Sequence, residues 1–511
     1  MDKNNSTIIS TLITLVVIGS GAAMYYLFAD SFAKKIESLS VKYYHYSLKK
    51  DVIAKDVSSL PDATAVPVLM YHGVVVKKDS ANTTLKNFRK QMEALKKEGF
   101  ETISVGEFDL WRQGEFTLPK KPIIITFDDG RKDSYYTTDD IFAKLGFKAT
   151  LFLASGPMLD GNHFYLTEEE LQKINESGRW EIQAHGRYSH NRINLEINKS
   201  QEGEDQTFLS SKIFLKEEDR LETDQEFNIR AENDYIQGNE DVKKIIGVEP
   251  KYFAVPMNDY GISENTNFPE SLKINNSLVK KYYKIAFVQS NVYENVTTVL
   301  ASPYNMAFEN PYKTRRLEVQ NMSAEDLIRI LDEYAPSPAN FKLTSENFIQ
   351  IFKEKTSGNL TLSEDLQVVI DAPIVGSNGL FSLGQPFWKN YSVSLDIEKT
   401  PSRSVAVLLN YVDWNNYIVC GYTDSSYFLR EIIDGVTTDI TPDLDSKKIA
   451  VLEPENIQAS SDFGIVTCGS KTNQVFKDIK TTSISGGAGV LTWDDKIQSK
   501  LEIKNFEVTQ N

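Results

Sequence analysis

Cysteine is almost absent from this chain: Cys420 and Cys468 are the only two in 511 residues. That excludes a disulfide scaffold and a cysteine metal cluster as the source of its stability. Pairing of the two is optional and suits only a compartment outside the cytosol. Basic residues are in deficit, 56 against 71 acidic, for a net charge of −15. A nucleic-acid backbone is therefore repelled unless a local patch reverses the sign, and no nucleic-acid partner is expected. There is no fixed-period repeat and no low-complexity tract, which removes solenoids and linker arrays. Histidine is scarce too, with five in the chain, so any two that fall close together stand out.

What is present is the composition of folded protein, 41% hydrophobic and 25% charged, in a chain too long for one ordinary core. Residues 8–29 contain no charge, and as a helix they span the ~30 Å hydrocarbon core of a bilayer. This predicts a transmembrane anchor after a short cytoplasmic tail, 1–7; a cleaved signal peptide is the rival reading. Lys3 before the run and Lys34, Lys35 and Lys42 after it leave the orientation open. Residues 30–62 read as a stalk or as a partly helical extension of the next domain. No protein partner can be inferred.

From 63 to 335, short apolar runs alternate with helical patterns. Phe88, Met92 and Leu95 mark a helix before Gly99, PIIITF (122–127) a strand, Ile141, Phe142 and Leu145 a helix ending at Gly146, and ATLFL (149–153) a strand. Such alternation means parallel strands joined by crossovers, in an α/β barrel or an open sheet, with functional residues at strand ends. After Pro336 and Pro338 the pattern becomes all-β. YSVSLDI (391–397) alternates residue by residue, and 404–412, 416–422 and 426–432 continue it, predicting a β-sandwich over 340–511.

Two segments carry the chemistry. TFDDG (126–130) follows a strand directly, so Asp128 and Asp129 sit at its C-terminal end, where paired acids serve as turn and cap more often than as catalysts. EIQAHGRYSHN (181–191) ends a strand-like run at His185 and adds His190 five residues on. One carboxylate and two imidazoles hold a divalent metal while leaving positions open for water and substrate, and Asp129, His185 and His190 supply that set. The same donor set also suits a non-haem iron oxygenase.

TFDDG, the histidine pair, LTEEELQKINESGRWEI (166–182), VLMYHGV (68–74) and YFAVP (252–256) together resemble the polysaccharide deacetylases of carbohydrate esterase family 4, the NodB-homology family. The histidine spacing and the YHGV segment look most like the branch acting on poly-β-1,6-N-acetylglucosamine. The resemblance covers roughly 66–320. It implies a distorted (β/α) barrel, a divalent ion, usually Zn2+, on Asp129, His185 and His190, Asp128 as general base, and an N-acetylated polysaccharide as substrate. With the N-terminal run it implies a single-pass membrane protein whose folded domains are extracellular.

The match departs from the family at two points. Many members take their general acid from a histidine near the domain's C-terminal end, yet no histidine follows His190; His72, in MYHGV, is the candidate. YFAVP keeps Phe253 and Pro256, the latter a substrate-side candidate, but has Ala254 where an arginine often stands. Arg315 or Arg316 is the guess for the missing guanidinium, solvated surface charge the alternative. The acidic stretch 192–250 reads as a solvated helix and surface insertion, or as a wall of a glycan groove. The C-terminal part resembles concanavalin-A-like jelly-roll domains, where Trp414 and Trp493 are candidates for stacking on sugars. Peptidoglycan, chitin and O-acetylated polymers are alternative substrates, and a glycan-binding protein without turnover is the alternative of another class.

Overall fold

The computed structural model describes residues 52–79, 81–193, 206–259, 266–290, 302–346, 358–365, 367–423, 426–433, 435–440 and 455–511. The expected anchor at 8–29, most of the stalk and part of the acidic insertion lie outside them. Among the described residues no helix is long and apolar enough to cross a membrane.

Seven parallel strands close into a barrel in chain order: β1 (Ala65–Tyr71), β2 (Pro122–Phe127), β3 (Ala149–Leu153), β4 (Trp180–Ala184), β5 (Tyr252–Ala254), β6 (Ile285–Ser290) and β7 (Thr314–Glu318), with β7 and β2 both pairing β1. Crossovers carry α1 (Leu85–Lys97), α2 (Asp139–Leu145), α3 (Glu168–Glu176), α4 (Asp224–Ile246) and α5 (Ser271–Tyr282), and α6 (Ala324–Glu333) follows β7 and packs on α1. Both strand faces are covered, which is why AVPVLMY and PIIITF read as unbroken apolar runs rather than as alternating ones. Start signals are local: Thr223 caps α4 in a capping box with Glu226, and Gly247 ends it with φ +79°.

Side-chain alternation sorts the strands into two cores. Val66, Val68, Ile124, Phe152, Tyr252, Ala254, Ile285 and Phe287 fill the barrel interior, while Leu69, Ile123, Ile125, Leu151, Ile182 and Leu317 face the helices. Continuing the inward register past Val68 leads to His72, past Ile124 to Asp128, and past Gln183 to His185. Arg316 and Glu318 share that register on β7. The interior core is thus the floor on which a polar layer sits at the C-terminal end of the barrel.

Beyond α6 the described chain is all β. One antiparallel sheet contains Val368–Asp371, Lys500–Gln510, Asn390–Lys399, Asn456–Asp462, Ile465–Gly469 and Gln474–Lys480; the other contains Asn378–Leu383, Gly487–Trp493, Ser404–Asp413, Asn416–Thr423, Ser426–Ile433 and Val436–Asp439. They form a sandwich, as the alternating pattern predicts. Cys420 and Cys468 are bonded across the two sheets, fully buried. The sandwich meets the barrel at a tight seam: the Gln385 amide donates to Ala335 O at 2.8 Å, Ser337 N donates to Gln385 Oε1 at 2.9 Å, and the Trp388 indole donates to Ser337 O at 3.1 Å.

Candidate metal centre and its surroundings

At the mouth of the barrel Asp128 follows β2 directly, its backbone N–H donating to Tyr71 O at 3.0 Å. Arg316 reaches it from β7 and donates two hydrogen bonds, Nη1 to Oδ1 at 2.6 Å and Nη2 to Oδ2 at 2.8 Å, with both side chains essentially without solvent exposure. The guanidinium also lies over the Phe152 ring, 5.4 Å from its centroid. Burial pushes the Asp128 carboxyl up, but the positive charge of Arg316, with contributions from His185 and His72, outweighs it and holds the pKa below the usual carboxylate range. Arg315, one residue earlier, faces the other way; its guanidinium donates to Ser302 O at 3.0 Å and pairs with Glu309 at 2.9 Å. Neither arginine is solvated, and of the two Arg316 is the one at the site.

Asp129 leaves the inward register because its backbone turns to φ +76°. The turn brings Oδ1 to 3.2 Å from His190 Nε2 and 3.7 Å from His185 Nε2. Asp129 Oδ1 and His185 Nε2 are nevertheless buried without a hydrogen-bond partner, an arrangement that is costly unless something else satisfies both. The donor atoms of Asp129, His185 and His190 all lie within 4.8 Å of one another. The His185 tautomer is fixed from behind: Nδ1 lies 2.7 Å from Ala254 O, a pure acceptor, so Nδ1 carries the proton and Nε2 keeps its lone pair toward the cluster. Burial lowers the His185 pKa to about 4, against the pull of Asp128 and Asp129, so the ring is neutral at neutral pH as a ligand must be. Burial opposes protonation of His190, but Asp129 more than offsets this and raises its pKa. Burial likewise opposes ionisation of Asp129, while His190, His72 and His185 together hold its carboxyl well below the usual range. Orphaned acceptors, a fixed tautomer and one carboxylate with two imidazoles fit a divalent ion.

His72 stands at the end of β1, partly exposed, with Nδ1 3.8 Å from Glu318 Oε1. Met70 and Glu318 are register partners on β1 and β7, so the approach follows from the barrel itself. Pro256 is buried just past β5 and opens a turn in which Met257 and Asn258 take positive φ. The segment ending at Leu166 runs along the Asp129 turn, with Leu166 N donating to Gly130 O at 2.9 Å and Lys132 N to Phe164 O at 3.0 Å. It sets Tyr165 close enough to Asp129 to feel its charge, with the Phe164 ring 5.5 Å away and under the Arg131 guanidinium. Trp414 and Trp493 lie in the sandwich, Trp414 exposed on the turn between Ser404–Asp413 and Asn416–Thr423, Trp493 partly buried against Phe428.

Sequence reading missed Glu318, Phe164 and Tyr165. For Glu318 the link is parity alone: once pairing to β1 turns Arg316 inward, strand alternation turns Glu318 inward as well, and Arg315 outward.

Residues 116–267 match the family model described as Polysaccharide deacetylase. The chain is 31% identical over 113 residues to a Bacillus subtilis (strain 168) protein named Putative polysaccharide deacetylase YxkH, a match spanning 22% of this chain and 39% of that protein's length. Among solved structures it is similar to a de-N-acetylase from Aggregatibacter actinomycetemcomitans, at 16% identity and a TM-score of 0.41 over 53% of this chain and 99% of that one. It is also similar to IcaB from Ammonifex degensii, at 19% identity and a TM-score of 0.38 over 54% and 99%.

Proposed function

We propose, on the premise that the chain carries a polysaccharide deacetylase domain, that it removes N-acetyl groups from an extracellular polysaccharide of the poly-β-1,6-N-acetylglucosamine type. The observation that carries this reading is the joining of Asp129, His185 and His190 around unpartnered donor atoms, with a separate carboxylate, Asp128, gripped by Arg316 beside them. The histidine spacing and the YHGV segment are the reasons for naming that polymer.

A divalent ion, most simply Zn2+, held by Asp129, His185 and His190 would supply Lewis acidity toward the acetamide carbonyl and a more acidic water. Asp128 accepts the proton of the attacking water; its depressed pKa keeps it ionised and ready. Arg316 fixes the carboxylate's orientation so that no rearrangement precedes the transfer. His72, with Glu318 behind it, donates the proton that the departing amine requires. Tyr165, near Asp129, offers a ring face to a pyranose, and Pro256 is the substrate-side candidate just past β5. Arg316, bonded to Asp128, and His72, whose charge acts on Asp128 and Asp129, are side chains of the two types the sequence lacks at family positions, which favours turnover over glycan binding alone.

The domains are proposed to lie outside the cell behind the anchor at 8–29. The buried disulfide supports that assignment, since such bonds persist in oxidising compartments. In the sandwich, Trp414 is the better placed of the two tryptophans for a glycan. The test is acetate release from N-acetylglucosamine oligomers by Zn2+-loaded protein, with Asp128→Asn as control. Release no greater than the control overturns the reading, and faster release from peptidoglycan or chitin moves the substrate.

A further inference from the structure

The acidic stretch expected to be a solvated insertion contains α4, and one stripe of that helix is spent on the loop between the two histidines. Asp234, Gln237, Gly238 and Asp241 fall at i, i+3, i+4 and i+7, on one face. Asp234 is buried, 5% exposed, and accepts three hydrogen bonds from consecutive residues of the loop: Arg187 N at 3.0 Å, Tyr188 N at 2.6 Å and Ser189 Oγ at 2.5 Å. Gln237 Oε1 accepts from Arg187 Nη1 at 2.6 Å, and Asp241 lies 3.3 Å from Arg187 Nε while accepting from Ser155 Oγ at 2.6 Å.

Gly238 is what lets the helix come this close. A Cβ there would lie 3.0 Å from the carbonyl carbon of Gly186 and 3.1 Å from Arg187 N, both backbone atoms that would have to shift by a few tenths of an ångström. Glycine inside a helix costs ~1 kcal/mol relative to alanine, a cost that the close approach explains. Gly186 in turn adopts φ +76°, and a Cβ on it would collide with the Ser189 hydroxyl and lie 2.9 Å from Asp234 Oδ2. From the opposite side, Ser155 N and Gly156 N donate to Gly186 O and Arg187 O at 3.2 and 3.0 Å.

We infer that Asp234 is a positioning residue for the metal centre: by fixing the backbone of residues 187–189 against α4, it sets where His190 meets Asp129 and His185. The inference rests on the metal-centre reading above. A loop held at only its two ends would let His190 wander, whereas three donors converging on one buried carboxylate give it a single arrangement.

The test uses the full chain, Asp234→Asn, and the milder Ser189→Ala, which removes one of the three donors. In metal-free protein, hydrogen exchange at the Arg187 and Tyr188 amides should accelerate in Asp234→Asn while amides in β3 and β4 stay protected. Zn2+ affinity should fall about 10–100-fold in Asp234→Asn and by less in Ser189→Ala, and the visible spectrum of the Co2+-substituted protein should change. Unchanged exchange at the two amides, or wild-type Zn2+ affinity with an unchanged Co2+ spectrum, overturns the inference. Wild-type protein that binds neither ion overturns the metal-centre reading instead, and the exchange measurement still decides whether Asp234 holds the loop.

Discussion

Arg316 and Asp128 form a buried, two-pronged ion pair, 2.6 and 2.8 Å, inside the mouth of the barrel. Removing one partner of such a pair leaves the other's charge without compensation. Arg316→Met is expected to destabilise the protein by about 3–5 kcal/mol, measured by denaturant unfolding. The sign of the pH effect follows from the cation: without it the Asp128 pKa rises, so the carboxyl proposed as the base becomes protonated at a higher pH, and the acidic limb of the rate profile should move upward. A limb that stays put in a folded Arg316→Met variant would remove Asp128 as the base.

His72→Gln should lower kcat for amide substrate about 10²–10⁴-fold, with Zn2+ affinity unchanged. Hydrolysis of 4-nitrophenyl acetate, whose leaving group needs no proton, should fall far less. Equal losses on both substrates would assign His72 to something other than leaving-group protonation.

The Cys420–Cys468 bond closes a separation of 48 residues across the two sheets. Cys420→Ala together with Cys468→Ala should cost the sandwich about 2–4 kcal/mol, read as a lower melting temperature. Acetate release from short oligomers at 25 °C should be unaffected, because the bond joins the two sheets of the sandwich and no strand of the barrel.

Trp414 is 43% exposed, whereas Trp493 packs on Phe428. Trp414→Ala should weaken retention on immobilised glycan without shifting the melting temperature. Trp493→Ala should lower stability by less than the ~3–5 kcal/mol of a fully buried aromatic truncation, since Trp493 is only partly buried. Unchanged retention in the first variant would remove Trp414 as the proposed glycan contact.

Much of the barrel was legible because its signals are local: apolar runs of strand length, stops at Gly99 and Gly146, and acids or histidines immediately after a run. Asp128, Asp129, His185 and His190 come together because those runs end at the same rim. Choosing between Arg315 and Arg316 required knowing which parity of β7 faces inward, and that is fixed by pairing to β1 rather than by anything in TRRLE itself. Asp234 was harder still. It lies 44 residues beyond His190 in a strongly charged stretch, and nothing local separates an aspartate that faces water from one that accepts three hydrogen bonds. The disulfide was equally hidden, since two cysteines far apart in sequence carry no sign that opposing sheets will bring them together.

β1 runs from one end of the barrel to the other. The described chain comes in along the closed end of the barrel, where Lys55 N donates to Lys97 O at the end of α1 and Lys120 pairs with Asp62 just before β2. The sandwich meets the same end: Phe387, Trp388 and Lys389 share a pocket with Thr64 and Met306, the latter the register partner of Ala65. Seven residues of strand, about 23 Å at ~3.3 Å per residue, separate that end from the rim bearing His72. The described chain therefore enters the barrel at the end opposite the rim that carries His72, Asp128, Asp129, His185 and His190.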